Sequence, residues 1–146
     1  MKRMLIAVAA LSLATTAYAA DRMVTDETTK AECSACHIAY PPRLLPAASW
    51  EALMGGLKTH FGEDASLDEA TVAHIRDYLV ANAGKDDPNA VDAEGKPLLR
   101  ISEREWFKHE HSDEVSPAAL KKAGSWANCV ACHAGAEKGQ FEDEDD

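Results

Sequence analysis

The sequence has 146 residues, with 25 Asp and Glu against 15 Lys and Arg and a formal net charge of −10; that length admits one domain or two very small ones. Its 46% hydrophobic content overstates the core, because 14 of the first 19 residues are apolar; beyond them Leu, Ile, Val and Phe number 21 of 127, about 17%, at a charge of −12. Such a chain either stays unfolded or folds around something other than its own side chains, and it does not bind nucleic acid through overall positive charge.

Lys2 and Arg3, the apolar run from Met4 to Leu13, and Ala17-Tyr18-Ala19 form the three parts of a secretory signal. They predict cleavage after Ala19 and a periplasmic mature protein. The run is too short to anchor comfortably in a bilayer, and no later segment is apolar enough to span one. Residues 26–35 predict a short helix leading into Cys33-Ser34-Ala35-Cys36-His37. Pro41, Pro42 and Pro46 then forbid regular helix over residues 38–48 and predict a stiff loop. A carbonyl of that loop is placed to accept from the His37 ring.

From Ser49 as N-cap, Trp50, Leu53, Met54, Leu57, His60 and Phe61 recur at helical spacing, and Gly62 ends this amphipathic helix. Ser66-Leu67-Asp68-Glu69 reads as a capping box opening a helix to about Asn82, with Val72, Ile75, Tyr78 and Leu79 on its apolar side and Gly84 as its stop. Residues 85–97 are polar and hold Pro88, Gly95 and Pro97, which predicts a linker between an N-terminal unit, 20–84, and a C-terminal unit, 98–146. A second capping box, Ser102-Glu103-Arg104-Glu105, precedes Trp106, Phe107, His109 and His111. Ser116-Pro117 opens another short helix, Gly124 closes it, and Asn128 leads into Cys129-Val130-Ala131-Cys132-His133. The run 142–146 is wholly acidic and reads as a solvated tail. The predicted fold is all-α, with short helices, long loops and no strand.

All four cysteines fall into two C-x-x-C-H motifs, the attachment signature of c-type haem. Two intervening residues let both thiols reach the vinyl groups on one porphyrin edge. The adjacent histidine then lies under the iron as proximal ligand. A redox dithiol, a disulfide framework or a zinc site accounts for cysteine pairs, but none requires a histidine directly after the second cysteine, twice. Cys33, Cys36, Cys129 and Cys132 are thus assigned to two covalent haems, with His37 and His133 on the irons.

For the opposite faces the chain past Ala19 offers His60, His74, His109, His111, Met23 and Met54. Two histidines give a low-spin iron of comparatively low potential, methionine raises it, and an open position permits oxygen or peroxide chemistry. His60 leads for the first haem, ahead of Met54, which suits the core, and Met23, near the terminus. For the second haem, His109 and His111 point about 200° apart on a helix, so only one of them faces the iron. His74 reads as a surface residue. His60 lies 23 residues after His37, and His111 lies 22 before His133.

The stretches Glu32-Cys33-Ser34-Ala35-Cys36-His37-Ile38-Ala39-Tyr40-Pro41-Pro42, Leu44-Leu45-Pro46, Ser49-Trp50 and His60-Phe61-Gly62-Glu63-Asp64-Ala65-Ser66-Leu67 resemble the small bacterial dihaem cytochrome c (DHC) family. So do Trp106-Phe107, Glu110-His111, Asn128-Cys129-Val130-Ala131-Cys132-His133 and Gly139-Gln140-Phe141. The resemblance implies a cytochrome c-like fold wrapped around two haems, and a soluble periplasmic electron carrier that is not an enzyme. It implies His60 and His111 as distal ligands, with His109 second to His111. It also implies partners: a membrane-bound cytochrome b and a small high-spin, oxygen-binding monohaem cytochrome c. Two other readings keep the same haems. One is a small dihaem enzyme, peroxidase-like or oxygen-reactive, with one open axial position. The other is an electron-transfer subunit of a reductase, such as the small dihaem subunit of periplasmic nitrate reductase.

Overall fold

The computed structural model describes residues 23–141. The signal segment 1–19 and the acidic run 142–146 lie outside them. The described residues form five short α-helices and five 3-10 turns. No strand is among them; the extended pairings are isolated bridges, Pro46 with Gly84, His60 with Glu63 and Val91 with Pro97. The all-α architecture with long connections is as predicted.

Helix α1 (Glu27–Cys33) starts because the Asp26 carboxylate accepts from the Thr29 amide at 2.7 Å, satisfying a donor that the first turn leaves unpaired. Its last residue is the first cysteine. A 3-10 turn, Pro42–Leu44, follows. Helix α2 (Ala47–Met54) begins three residues before the predicted start, with its cap at Pro46 and not at Ser49. Pro46, extended at φ −71° and ψ 163°, stands at the N-cap position, and its carbonyl accepts from Ser49 N–H at 3.0 Å. Ser49 is therefore buried in the first turn and does not cap.

Helix α2 also ends early. Gly55 and Gly56 follow Met54, and each glycine costs a helix about 1 kcal/mol relative to alanine. The chain goes on through a 3-10 turn, Leu57–Thr59, and reverses at Phe61 (φ 54°) and Gly62 (φ 107°). His60 is thus carried by a turn, not by the helix face expected for it. Helix α3 (Glu69–Ala81) is capped by Asp68, which accepts from the amides of Ala70 and Thr71. Ser66, the expected cap, bonds Asp64 instead.

The main core lies between α2 and α3, where Leu45, Trp50, Met54, Ile75 and Leu79 are buried together. The Trp50 indole N–H donates to Pro42 O at 2.7 Å. Helix α1 is tied to α3 by Thr25 N–H donating to Tyr78 Oη at 2.8 Å and by Asp26 with His74 at 2.9 Å. Residues 85–97 are hydrogen-bonded: Ala90 is buried, its carbonyl accepts from Leu98 N–H, and Asp92 accepts from the amides of Glu94 and Lys96. Asp87 pairs with the buried Arg104 at 2.8 Å.

Helix α4 (Glu105–His111) follows a 3-10 turn, Ile101–Glu103, that absorbs Ser102, so the second capping box does not form. Helix α5 (Pro117–Ala123) matches its reading: Ser116 accepts from Ala119 N–H at 3.2 Å, Pro117 opens it and Gly124 closes it at φ 81°. Among the described residues, no helix is long and apolar enough to cross a membrane.

Candidate haem-binding sites

Each C-x-x-C-H motif meets a second histidine across space. At the first, α1 delivers Cys33, which is half-buried, while Cys36 is exposed. Burial pushes the Cys33 thiol up to about 11, with the Glu32 charge acting the same way. His37 Nδ1 lies 2.7 Å from Ile38 O. A carbonyl only accepts, so Nδ1 carries the hydrogen and Nε2 keeps the lone pair that a metal needs. Tyr40 stacks on the ring at 4.7 Å and 17°.

The His60 ring centre is 6.2 Å from that of His37, with planes 25° apart. Burial, then His37 and Arg100, lowers the His60 pKa, which favours the neutral, ligating form. Beside it Phe61 takes the Arg100 guanidinium over its ring at 4.0 Å. Phe61 also borders a hollow of about 620 Å³ shared with Ala52, Pro97, Leu98 and Leu99, with Lys96 and Arg100 as its cations.

The second site repeats the logic with other elements. Cys129 lies in the 3-10 turn Cys129–Ala131, half-buried, its pKa raised mainly by that burial; Cys132 is exposed. The turn brings His133 N–H to Cys129 O at 2.8 Å. From α4, His111 presents a ring centred 6.0 Å from His133, with planes 83° apart. His111 Nδ1 is 2.8 Å from Phe107 O, and its ring lies on Phe107 at 4.0 Å and 9°. Trp126 meets both rings edge-on, and Phe141 meets His133 at 76°.

These separations fit a haem iron between each pair. A metal–imidazole bond is about 2.0 Å and the ring centre lies about 1 Å beyond the nitrogen, so two axial imidazoles on one ion have centres about 6 Å apart. The surroundings fit as well: Phe61 beside His60 and Trp126 beside His111 leave large apolar groups exposed.

The remaining candidates lie elsewhere. Met54 is buried in the α2–α3 core. His74 is exposed and pairs with Asp26. His109 is exposed on α4, and Met23 begins the described chain. Sequence reasoning missed Tyr40, whose hydroxyl donates to Ala127 O at 2.6 Å and so ties the first motif to the approach of the second. Burial pushes that phenol up to about 12, keeping it a donor. No local signal announces a contact 87 residues apart. Phe107 was legible as the residue one turn before His111 on the same face.

The family model for dihaem cytochrome c matches residues 29–141. The chain belongs to the dihaem cytochrome c family. No curated protein matches it. Solved dihaem cytochromes c do. The crystal structure of DHC purified from Rhodobacter sphaeroides is 60% identical, with a TM-score of 0.72, over 82% of this chain and 99% of that one. A second structure of dihaem cytochrome c from Rhodobacter sphaeroides is 56% identical, with a TM-score of 0.74, over the same shares. The dihaem c-type cytochrome of Shewanella baltica OS155 is 36% identical, with a TM-score of 0.66, over 80% of this chain and 86% of that one. As a dihaem cytochrome c the chain carries two covalently bound c-type haems.

Proposed function

We propose that this dihaem cytochrome c is a periplasmic electron-transfer protein, not an enzyme, with both irons held between two histidines. Cys33 and Cys36 carry the first haem and Cys129 and Cys132 the second. His37 and His60 ligate one iron, and His133 and His111 the other. The observation that carries this reading is the pair of ring separations, 6.2 and 6.0 Å, each joining a motif histidine to a distant one.

When bound, each haem supplies an iron that cycles between ferric and ferrous. The residues do the rest. Ile38 O and Phe107 O hold the Nδ1 hydrogens of His37 and His111, leaving Nε2 as the ligating atom. Histidine on both faces keeps substrates away and changes little in geometry as the charge changes. The net charge of −12 beyond residue 19 suits a redox partner with a basic face. A membrane-bound cytochrome b and a small high-spin monohaem cytochrome c fit that role as redox partners; binding that is insensitive to salt would count against such docking.

Two spectra test the ligands. Ferric His111→Ala is expected to show one high-spin haem by electron paramagnetic resonance, while His109→Ala keeps two low-spin haems; the opposite result overturns the assignment. Reduced wild-type protein is expected not to bind carbon monoxide rapidly. Rapid binding to a full equivalent of one haem would favour the enzyme reading. Export is tested by the mature N-terminus, which should be Ala20.

A further inference from the structure

The two histidine pairs share a separation but not an orientation. The ring planes of His37 and His60 are 25° apart; those of His111 and His133 are 83° apart. An imidazole acts on iron through the filled π orbital perpendicular to its ring. Two near-parallel rings act on the same iron dπ orbital and split the dπ pair. Two perpendicular rings act on one orbital each and leave the pair nearly degenerate. In low-spin ferric haem the unpaired electron occupies that pair, so orientation sets how anisotropic the paramagnetic signal is.

Each orientation has a local cause. His37 is held by Ile38 O and by Tyr40, whose plane lies 17° from its own. His111 is held by Phe107 twice: the backbone carbonyl accepts from Nδ1 at 2.8 Å, and the phenyl ring lies on the imidazole at 4.0 Å and 9°. Trp126 meets both rings at 87°, so a rotation of His111 drives its edge into the indole. Phe107 is itself buried, so it does not follow such a rotation. At His133 the neighbouring Phe141 is edge-on.

We propose that the two irons sit in different ligand fields, near-parallel at His37/His60 and near-perpendicular at His111/His133, and that Phe107 is the positioning residue that fixes the second. This rests on the bis-histidine reading above.

Low-temperature electron paramagnetic resonance of the ferric holoprotein tests it. The expected spectrum holds two low-spin signals of equal intensity, one rhombic and one a highly anisotropic low-field feature. Two signals of the same type would overturn the inference. A full equivalent of high-spin iron would instead overturn the bis-histidine reading, so the two failures are distinct. His60→Ala should remove the rhombic signal and His111→Ala the anisotropic one; the reverse overturns the assignment. Phe107→Leu and Phe107→Met should shift the anisotropic signal toward rhombic, and Phe107→Tyr should retain it. An unshifted signal in the first two, or loss of the second haem from both, overturns the positioning role.

Discussion

Gly84 is a hydrogen-only position because of what lies against it. Its N–H donates to Leu45 O at 2.8 Å, and a Cβ there would fall 2.3 Å from Arg43 O and 3.3 Å from Leu45 O. Both opposing groups are backbone, which cannot swing aside as a side chain does. Gly84→Ala must push the chain after α3 away from the loop before α2. By analogy with overpacked cores this costs about 1–3 kcal/mol. Guanidinium unfolding of the holoprotein, followed by far-ultraviolet circular dichroism, measures it; a change below about 0.5 kcal/mol would show that the contact yields. The sequence offered Gly84 as a helix stop, but α3 is ended at Asn82. What glycine does here depends on a partner about 40 residues away, which no local pattern reveals. The motif histidines are the contrary case. The ligand roles proposed for them follow from covalent neighbours, the C-x-x-C that precedes each histidine.

Among the elements, α1 shows how one cap serves two purposes. The Asp26 carboxylate accepts from the Thr29 amide and faces His74 of α3 at 2.9 Å. Thr29, through its amide first and its side chain next, and then His74 lower its pKa from 3.8 to about 2. The folded value lies below the unfolded one, so the contribution is complete above about pH 4 and is lost as the pH falls toward 2. Asp26→Asn should therefore lower the melting temperature of the holoprotein at neutral pH and flatten its fall between pH 4 and 2. Melts at pH 2, 4 and 7 measure this, and a variant with the wild-type slope in that window would sink it. Helices with a strong local signal were legible: α5 from Ser116-Pro117 and Gly124, α3 from its apolar stripe. Boundaries set by competition were not. Asp68 outcompetes Ser66 for the cap of α3, Pro46 pre-empts Ser49, and Gly55-Gly56 cuts a stripe whose apolar spacing runs on to Phe61. Periodicity locates the side chains that want burial, but it does not weigh two glycines against them.

Over the whole molecule, burial is uneven in a way that composition does not show. Leu45, Trp50, Met54, Ile75 and Leu79 give the α2–α3 region a cluster of its own. Among described residues 102–141, burial falls only on Arg104, Phe107, Ala136 and Gly139. One large apolar side chain does not offset the ordering of 40 residues at about 1–2 kcal/mol each. Three of the four Phe and Trp residues of this segment, Phe107, Trp126 and Phe141, are instead arranged around His111 and His133. A porphyrin is larger than an aromatic side chain, which buries about 150–250 Å². At about 25 cal/mol per Å², one haem contributes at least about 6 kcal/mol, within the roughly 5–15 kcal/mol that holds a whole domain together. The low count of large aliphatic residues thus marks a chain whose core is partly cofactor, and the dependence is steepest after residue 101. Cys129→Ser/Cys132→Ser, made to lack the second haem, should leave amides of 102–141 exchanging with solvent at nearly unfolded rates while α2 and α3 stay protected. The fully haem-free protein should show no cooperative, native-like melt. Hydrogen exchange read by mass spectrometry separates the two segments in one measurement. Equal protection of both in the Cys129→Ser/Cys132→Ser protein would mean that the C-terminal segment holds itself together and that the second haem is a guest in it, not its core.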